Sequence, residues 1–362
     1  MTEWVPQVVK IEKVEMHPNA DALDICTVLG DYPVITKRNE YKINDLAGYI
    51  PIDSIVPDTE MFYFLCPKAY EKYEDENGQI QNRQLGPKYL LGQVPEKYRI
   101  IKAKKIRDIY SMGMLISASD LELGQSIIDL IGLKKWEQEE EDNLPSVKTK
   151  GKNAEKPPVG WSIPYYDLES VRKYFPCIEN EQDVILTEKI HGSNAGYCYD
   201  GTKLVVKSRN FYKKFDPEDM WADAAIRYKL EEKLSKYPMM VFFAECAGQV
   251  KGFRYDAQVE NGRLLTKLFF FDIWDVKAQR FLDYDYFSSI IDELELEATP
   301  LIYRGPCLSK EEMYALAERK TAIGGKHIAE GWVLSLGKER YEPRLNSRLK
   351  LKYVSQQYTL QK

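Results

Sequence analysis

The stretch from Thr187 to Asn194 reads TEKIHGSN and places Lys189 and His191 between two apolar runs of strand character. A lysine amine becomes a nucleophile when nearby positive charge keeps it neutral. Taken alone, a lysine beside a histidine and a glycine at a strand end is more often a solvated turn than a catalytic site. The rest of the chain therefore has to decide between the two interpretations.

Charged residues interrupt apolar runs at several later positions. These are Glu245 after residues 241–244, Asp272 after residues 269–271, Glu330 before residues 331–334, and Lys350 and Lys352, which alternate with leucines. A single strand-end carboxylate or alternating lysine is commonly solvated. Five such residues with both signs of charge predict the lining of a polar cleft.

This lining suits nucleotidyl transfer through a lysine phosphoramidate. Lys350 and Lys352 are suited to hold a phosphate and its leaving group, and Arg209 to reach a phosphate or a sugar. Carboxylates hold Mg²⁺ through its water ligands. The six cysteines and three histidines are too dispersed for a zinc site or a disulfide framework, so we expect any metal to be a hard, oxygen-bound cation.

The sequence has 362 residues, 44% of them apolar and 30% charged, which is typical of a globular protein of two or three domains. We find no membrane-spanning apolar run and no signal peptide at the first residues, and we expect a cytoplasmic protein, with the nucleus left open. The net charge of −5 argues against a simple nucleic-acid binder. Basic residues nevertheless cluster at 102–107, 203–209 and 344–352, which leaves a local basic face open.

The polar, charged residues 134–160 predict a linker, because they have too little apolar surface to fold alone. Before it, short β-rich runs at 8–14, 25–29, 49–52 and 99–106 predict a small closed sheet. After it, Asp200-Gly201 and Asn261-Gly262 are hairpin signals. Asp216-Pro217 predicts the start of a helix reaching about Lys236, and Ser309 opens a capping box. We therefore expect an α+β domain built on antiparallel sheet.

Six segments also resemble, in order, the motifs of the covalent nucleotidyltransferases. They are KIHGSN (189–194), SRN (208–210), FAE (243–245), FD (271–272), EGWV (330–333) and LKLK (349–352), similar to motifs I, Ia, III, IIIa, IV and V. The first is the RNA-ligase form of motif I, K-x-H-G-[ST]-N, whereas DNA ligases and capping enzymes typically show K-x-D-G. The resemblance outweighs the solvated-turn interpretation of Lys189.

The order of domains indicates which class of covalent nucleotidyltransferase the chain resembles. Only ten residues follow Lys352, too few for the OB domain that follows motif V in DNA ligases and capping enzymes. A β-rich module lies in front instead, as in the RNA ligases of the Deinococcus and Naegleria type. The layout predicted by this resemblance is an OB-fold β-barrel at 1–133, the linker at 134–160, and an antiparallel-sheet nucleotidyltransferase domain, an ATP-grasp-like ligase domain, at 161–362.

The resemblance implies a role for each matching residue. Lys189 attacks the α-phosphate of ATP and carries AMP, Lys350 and Lys352 stabilise the phosphate charge, and Glu330 orients hydrated Mg²⁺ or Mn²⁺. Glu245 contacts a ribose hydroxyl or a metal-bound water, Phe271 stacks on adenine, and Arg209 contacts the ribose or the incoming end. His191 and Asn194 serve sealing or metal binding. Asp272, as a metal residue, and Glu188, as a nucleotide-binding residue, are equally open to structural roles.

The expected function is that of an ATP-dependent RNA ligase acting on nicked duplex RNA, as a monomer without a membrane partner. The OB domain would hold the duplex by its shape and phosphates. The alternatives are a DNA ligase, a GTP-dependent capping enzyme, an NAD-dependent ligase, or a nucleic-acid-binding protein with an inactive ligase fold. Covalent AMP on the protein would exclude the last of these.

Overall fold

The computed structural model describes residues 4–74, 80–118, 120–136, 154–248, 253–260 and 263–361. The chain divides after Glu139 into two compact units. This division falls inside the predicted linker, most of which lies outside the described residues. The residue limits given above for the domains and the linker remain predictions.

The first unit consists of short strands with almost no helix. Its strands are β1 (Gln7–Lys10), β2 (Lys13–Met16), β3 (Leu23–Val28), β4 (Tyr32–Lys37), β5 (Leu46–Pro51), β6 (Ser54–Ile55), β7 (Lys68–Glu74), β8 (Ile80–Pro87), β9 (Ile100–Ile101), β10 (Lys104–Ile106), β11 (Ile109–Ser111), β12 (Gly113–Ser117) and β13 (Lys134–Lys135). Helix α1 spans Ile128–Ile131, and 3₁₀ turns occupy Glu60–Leu65 and Glu96–Tyr98.

These strands form small antiparallel sheets around two apolar clusters. The orders are β1-β5-β12, β2-β3-β4 and β13-β6-β9, with the hairpins β7-β8 and β10-β11. Strand β3 shows why: its residues alternate between buried and half-buried, so one face packs inward. One cluster contains Val9, Val28 and Val34, and the other contains Ile50 and Phe62.

The second unit combines strands and short helices. Its strands are β14 (Ala154–Glu155), β15 (Glu169–Ser170), β16 (Val184–Lys189), β17 (Gly192–Tyr199), β18 (Leu204–Ser208), β19 (Tyr212–Lys213), β20 (Met240–Ala247), β21 (Val259–Glu260), β22 (Arg263–Leu264), β23 (Lys267–Asp275), β24 (Arg280–Phe281), β25 (Leu301–Gly305), β26 (Gly331–Leu336), β27 (Tyr341–Glu342), β28 (Ser347–Arg348) and β29 (Leu351–Val354). Its helices are α2 (Val171–Tyr174), α3 (Met220–Arg227), α4 (Leu230–Leu234), α5 (Tyr284–Glu293), α6 (Lys310–Ala315) and α7 (Gln356–Gln361), with a 3₁₀ turn at Phe175–Cys177.

Two sheets dominate this unit. One has seven strands in the order β14-β19-β18-β17-β20-β23-β24, and the other has five in the order β15-β29-β26-β16-β25. Helices α3, α4 and α5 pack on the larger sheet, and α6 packs on the smaller. All pairs in both sheets are antiparallel except β15 with β29. The predicted α+β fold on antiparallel sheet is confirmed.

The helix predicted from Pro217 to about Lys236 differs from the observed one. Asp216 closes a turn onto the Glu218 amide, and Asp219 instead caps helix α3 by accepting a hydrogen bond from the Trp221 amide. The helix then breaks at Lys229, whose φ of 52° is left-handed, before α4 begins. The capping box at Ser309 is present. Within the described residues, no helix is both long and apolar enough to span a membrane.

Candidate active site

Lys189 lies where the chain crosses from one sheet to the other. Strand β16 of the five-stranded sheet ends at Lys189, and β17 of the seven-stranded sheet begins at Gly192. Ile190, which is buried, fixes the crossing between them. A Cβ atom at Gly192 would lie 2.3 Å from the carbonyl oxygen of Cys246, so only glycine lets β17 approach β20 this closely. The glycine of motif I thus positions the lysine.

Glu330 is brought to Lys189 by a second glycine. Gly331 lies opposite Lys189 in the β16–β26 ladder and has a φ of 146°, and a Cβ atom there would lie 2.0 Å from the Tyr353 carbonyl oxygen. The side chain of Glu330, immediately before it, reaches the amine: Oε1 of Glu330 lies 2.8 Å from Nζ of Lys189.

Glu245 completes an acidic surrounding for the lysine. It lies opposite Asn194 in the β17–β20 ladder, and its burial raises its pKa to about 8. Burial would also raise the pKa of Glu330, but the nearby Lys189 ammonium holds it well below its usual range. Burial alone would lower the pKa of Lys189, yet the two carboxylates outweigh it and hold the pKa above its usual value. The resting lysine is therefore protonated.

His191 is enclosed by aromatic side chains. Its backbone N–H donates to the hydroxyl of Tyr255 at 2.8 Å, and its ring packs on Phe253 with the centroids 4.5 Å apart. Ring atom Nδ1 lies 2.5 Å from the hydroxyl of Tyr358 and 3.7 Å from Oε2 of Glu330. The motif I histidine is therefore part of the same site as the lysine.

Lys352 and Arg209 meet at a carboxylate that sequence reasoning missed. Asp167 accepts from Nζ of Lys352 at 3.3 Å and pairs with the Arg209 guanidinium at 3.1 Å. Arg209 also lies over the ring of Tyr165 and donates to its hydroxyl at 3.0 Å. Burial lowers the pKa of Lys352. Arg209 is close enough to Lys189 for its charge to oppose protonation of the amine.

Lys350 belongs to a second, more deeply buried cluster. Oδ2 of Asp272 accepts from Lys350 at 2.8 Å, from Arg348 at 2.6 Å and from the hydroxyl of Tyr166 at 2.7 Å. Arg348 in turn pairs with Glu339. Burial would raise the pKa of Asp272, but Arg348 and Lys350 lower it, whereas burial lowers the pKa of Lys350.

Phe271 and Asp272 lie on the same side of their strand because the strand bulges. In the β20–β23 ladder Phe243 pairs with Asp272 and Ala244 with Phe270, so Phe271 is an extra residue. The Phe271 ring stacks on Phe243 at 6.3 Å and meets the edge of Tyr166 at 5.1 Å. An aromatic platform is therefore built next to the Asp272 cluster.

Two of the predicted site residues, Glu188 and Asp272, form hydrogen bonds with groups other than Lys189, Glu330 and Glu245. Glu188 is buried, and its carboxylate accepts from Arg319 at 3.0 Å, from Thr321 at 2.5 Å and from the Ala322 amide at 2.9 Å, which supports the loop before Glu330. Oδ2 of Asp272 accepts hydrogen bonds from three donors of the second cluster, and its assignment as a metal residue remains a prediction. In both residues the carboxylate supports other side chains or backbone.

The remaining carboxylates suit a hard cation. Among the described residues no group of three or more His, Cys, Asp or Glu side chains could hold a metal directly. Glu330 and Glu245 offer two carboxylates beside Lys189, and Mg²⁺ and Mn²⁺ commonly take one or two carboxylates and fill their other positions with water and phosphate oxygens. The donor set fits such an ion.

Three residues were missing from the sequence-based site: Asp167, Arg348 and Tyr358. Arg348 alternates with Lys350 and Lys352 in one basic run, which was a usable signal. Asp167 precedes the first long strand of the domain, and Tyr358 lies in the ten residues after Lys352, so neither had a local pattern to mark it.

Comparisons with known proteins agree with this geometry. Residues 182–354 match the RNA ligase family, and residues 5–88 match an OB-fold domain. Comparison with curated protein sequences gives no significant match. Among solved structures, the Naegleria gruberi RNA ligase with pyrophosphate is 20% identical with a TM-score of 0.72, and a variant of it with ATP and Mn is 19% identical with a TM-score of 0.73. Each alignment covers 99% of both chains.

The predicted fold, an OB-fold domain followed by a ligase domain, is thus confirmed. The match to the RNA ligase family covers all six motif segments. It also covers the Lys189–Glu330 ion pair, which connects the first motif to the fifth. Residues 182–354 are thus similar to the RNA ligase family, in a chain whose residues 5–88 are similar to an OB-fold domain.

Proposed function

We propose that the protein is an ATP-dependent RNA ligase that works through a lysyl-AMP intermediate. Nζ of Lys189 forms a bond to the α-phosphorus of ATP as the bond to the bridging oxygen breaks and pyrophosphate leaves. The AMP then passes to a 5′-phosphate end of RNA, which frees the lysine. A 3′-hydroxyl finally attacks that phosphate, forms the phosphodiester and releases AMP.

One observation carries this proposal: Lys189 forms a 2.8 Å ion pair with Glu330 at the crossing between the two sheets, with Glu245 beside it. A lysine in a merely solvated turn would have no need of two half-buried carboxylates. The proposed nucleophile must lose its proton before attack, and its ion pair with Glu330 keeps it charged until substrate arrives.

Mg²⁺ or Mn²⁺ at Glu330 and Glu245 would supply positive charge that favours a neutral Lys189 and a more electrophilic phosphate. The protein supplies more positive charge itself. Arg209 and Lys352 lie around one exposed carboxylate, Asp167, which substrate phosphates can replace. Phe271 offers its ring for adenine, and Lys350 is fixed by Asp272 for the phosphate. We assign these roles by position in the motifs.

The OB-fold domain carries a basic face suited to an RNA backbone. Lys102, Lys104 and Arg107 are exposed on or beside hairpin β10–β11, and Lys134 is exposed on β13. The ammonium of Lys102 lies 5.9 Å from the ring centroid of Trp136, which joins a stacking surface to the cations. Cations with an aromatic platform fit phosphates and bases, so we assign this face to RNA binding, with nicked duplex as the expected substrate.

Label transfer tests the chemistry. The full-length protein is incubated with radiolabelled ATP, GTP or NAD and with Mg²⁺ or Mn²⁺, then separated by denaturing electrophoresis. We expect label on the protein from ATP alone. Label from GTP would support a capping-type enzyme, label from NAD another ligase class, and no label under any condition would overturn the proposal in favour of a binding protein with an inactive ligase fold.

Sugar preference tests the RNA substrate. Nicked duplexes with ribose or deoxyribose at the last two nucleotides of the 3′-hydroxyl strand are sealed by enzyme already carrying AMP, so that the first step cannot limit the rate. We expect a requirement for ribose, because the 2′-hydroxyl and A-form geometry distinguish RNA from DNA. Equal sealing of every duplex would favour a DNA ligase.

Salt dependence tests the basic face. Replacing Lys102, Lys104 and Arg107 by alanine should weaken nicked-duplex binding and reduce the slope of log affinity against log salt by roughly 0.7 to 0.9 for each lost phosphate contact. Lys13→Ala is the matched control, since Lys13 is exposed in the same domain but pairs with Glu15 at 2.8 Å. An unchanged slope in the triple variant would remove this face from the RNA site.

A further inference from the structure

Tyr358 connects the last helix of the chain to the motif I histidine. Helix α7 spans only six residues, yet Tyr358 is 2% exposed and its hydroxyl lies 2.5 Å from Nδ1 of His191. Its ring also packs on Phe253 with the centroids 5.3 Å apart. The tyrosine thus reaches the site from a segment that carries none of the six motifs.

The start of helix α7 is anchored to the same site. The Ser355 amide donates to the backbone carbonyl of Glu330 at 2.9 Å, and the Ser355 hydroxyl donates to Glu318 at 2.8 Å. Glu318 also accepts from the amide of Gln356 at 2.8 Å. With its first turn fixed in this way, the helix has little freedom to withdraw Tyr358 from the histidine.

The direction of this contact is linked to which ring nitrogen of His191 carries the proton. A neutral imidazole has one donor and one acceptor nitrogen, and the partner of one nitrogen sets the role of the other. A tyrosine hydroxyl that donates to Nδ1 leaves the proton on Nε2. Within the described part of the chain Nε2 has no hydrogen-bond partner, and the side chain is 17% exposed. Nε2 is thus the nitrogen left for substrate.

We propose that Tyr358 is a positioning residue that makes His191 a hydrogen-bond donor through Nε2, toward a phosphate or sugar oxygen, rather than a metal ligand. A protonated Nε2 has no lone pair for a metal. This inference deepens the proposed ligase function and rests on it.

Nitrogen NMR of the ring tests the tautomer directly. The chain has only three histidines, His17, His191 and His327, so a protein labelled with ¹⁵N-histidine gives three ring patterns, which His→Asn variants assign. We expect His191 to show Nε2 protonated in the wild type, and that pattern to change in Tyr358→Phe, which keeps the ring but removes the hydroxyl. A wild-type ring protonated on Nδ1 would overturn the proposal.

A double-mutant cycle tests whether Tyr358 acts through His191. The enzyme carrying AMP seals nicked duplex, and rates are compared for Tyr358→Phe, His191→Asn and both together. We expect Tyr358→Phe to slow sealing about tenfold, as loss of one hydrogen bond to the site allows, and the double variant to match His191→Asn. Multiplied effects, or full activity of Tyr358→Phe, would contradict the proposal.

Two controls separate this result from other failures. Tyr237→Phe also loses one tyrosyl hydrogen bond, to Glu293, in a part of the domain without motif residues, and it should seal at the wild-type rate. Thermal unfolding checks that Tyr358→Phe is folded. Label transfer from ATP to the wild type reports on the proposed function independently, so its failure is distinguishable from failure of the Tyr358 assignment.

Discussion

The ligase domain contains two lysine–carboxylate ion pairs with the same N···O distance but with different surroundings. Lys189 with Glu330 and Lys350 with Asp272 both have a 2.8 Å separation. The first pair is partly open, with side chains 21% and 12% exposed, and its added neighbour is a carboxylate. The second is 5% and 4% exposed, and its added neighbour is Arg348.

The neighbours decide the chemistry. Burial alone would lower the pKa of Lys189, but Glu330 and the additional Glu245 raise it, so positive charge arriving near the amine would favour loss of its proton. An arginine on the shared carboxylate, with burial, leaves Lys350 fixed and its pKa lowered. We therefore expect the Lys189–Glu330 pair to separate when substrate binds, and the Lys350–Asp272 pair to stay in place as a structural support.

Removal of the first lysine should have the largest effect. Lys189→Ala should abolish transfer of label from ATP to the protein, a loss of at least about 10⁴-fold, because it removes the amine on which we propose the phosphoramidate forms. Lys189→Arg keeps the charge but offers no neutral amine, and it should be equally inactive. Labelling retained by either variant would remove Lys189 as the nucleophile. Circular dichroism checks that both are folded.

Loss of the second carboxylate should affect stability more than the first step. Asp272→Asn removes the charge that compensates two buried cations, and we expect about 3 kcal/mol less free energy of unfolding, measured by urea denaturation. Asp183→Asn is the matched control, because Asp183 pairs with Arg304 at the surface and should cost under about 1 kcal/mol. Equal effects of the two substitutions would refute the structural role of the buried cluster.

The pH dependence of label transfer should separate the two clusters further. Burial raises the pKa of Glu245 to about 8, so we expect this carboxyl to hold its proton below that pH and to be free to bind the proposed cation above it. The rate should therefore rise with pH, by up to roughly tenfold per unit below pH 8. More Mn²⁺ should move the rise to lower pH, because the cation competes with the proton.

Two variants check the assignment to Glu245. Glu245→Gln should be slow at every pH and should show a shallower rise. Glu339→Gln is the control in the second cluster: burial also raises the pKa of Glu339, but its carboxylate pairs with Arg348, away from Lys189, so the shape of the profile should be unchanged. If Glu339→Gln flattened the curve and Glu245→Gln did not, the titrating group would have been assigned to the wrong cluster.

The smallest effect is expected at Asp167, which joins Lys352 and Arg209. Asp167→Asn weakens the contacts with Lys352 and Arg209, but the carboxylate is 44% exposed, so the free energy of unfolding should change by under about 1 kcal/mol. Because the carboxylate competes with substrate phosphate for the same cations, the KM for ATP should fall slightly. A rise in KM would show that Asp167 helps to bind the nucleotide.

The sequence could predict the site wherever a charge interrupts an apolar strand. Lys189, Glu245, Glu330 and Lys352 are such interruptions, and the structure brings them together. The sequence could not predict that Asp272 forms an ion pair with Lys350 and lies apart from Glu245 and Glu330. A carboxylate at this strand end is compatible with either position. Contacts distant in sequence made that choice: Tyr166 and Asp272 are 106 positions apart.

The fold was predictable at the level of class and less so in its details. Helix α3 begins three residues later than the Asp216-Pro217 signal indicates, because Asp219 caps it and Asp216 closes only a turn. The run from 8 to 14 divides into β1 and β2, which lie in different sheets. Local patterns mark strands but not the sheet that each strand joins. Tyr358 could not be predicted as a site residue, because the ten residues after Lys352 contain no motif that marks it.

Because Phe271 is the bulged residue of β23, it has no paired residue in the β20–β23 ladder. Residues 240–243 pair with 272–275 and residues 244–247 with 267–270, so deletion of Phe271 alone would leave every remaining pair in the ladder in place. Asp272 would still face Tyr166 and Lys350, and the core residues on either side would keep their faces. The aromatic ring that we propose for adenine stacking can therefore be gained or lost by a single-codon insertion or deletion, without a change in the pairing of the sheet that carries it.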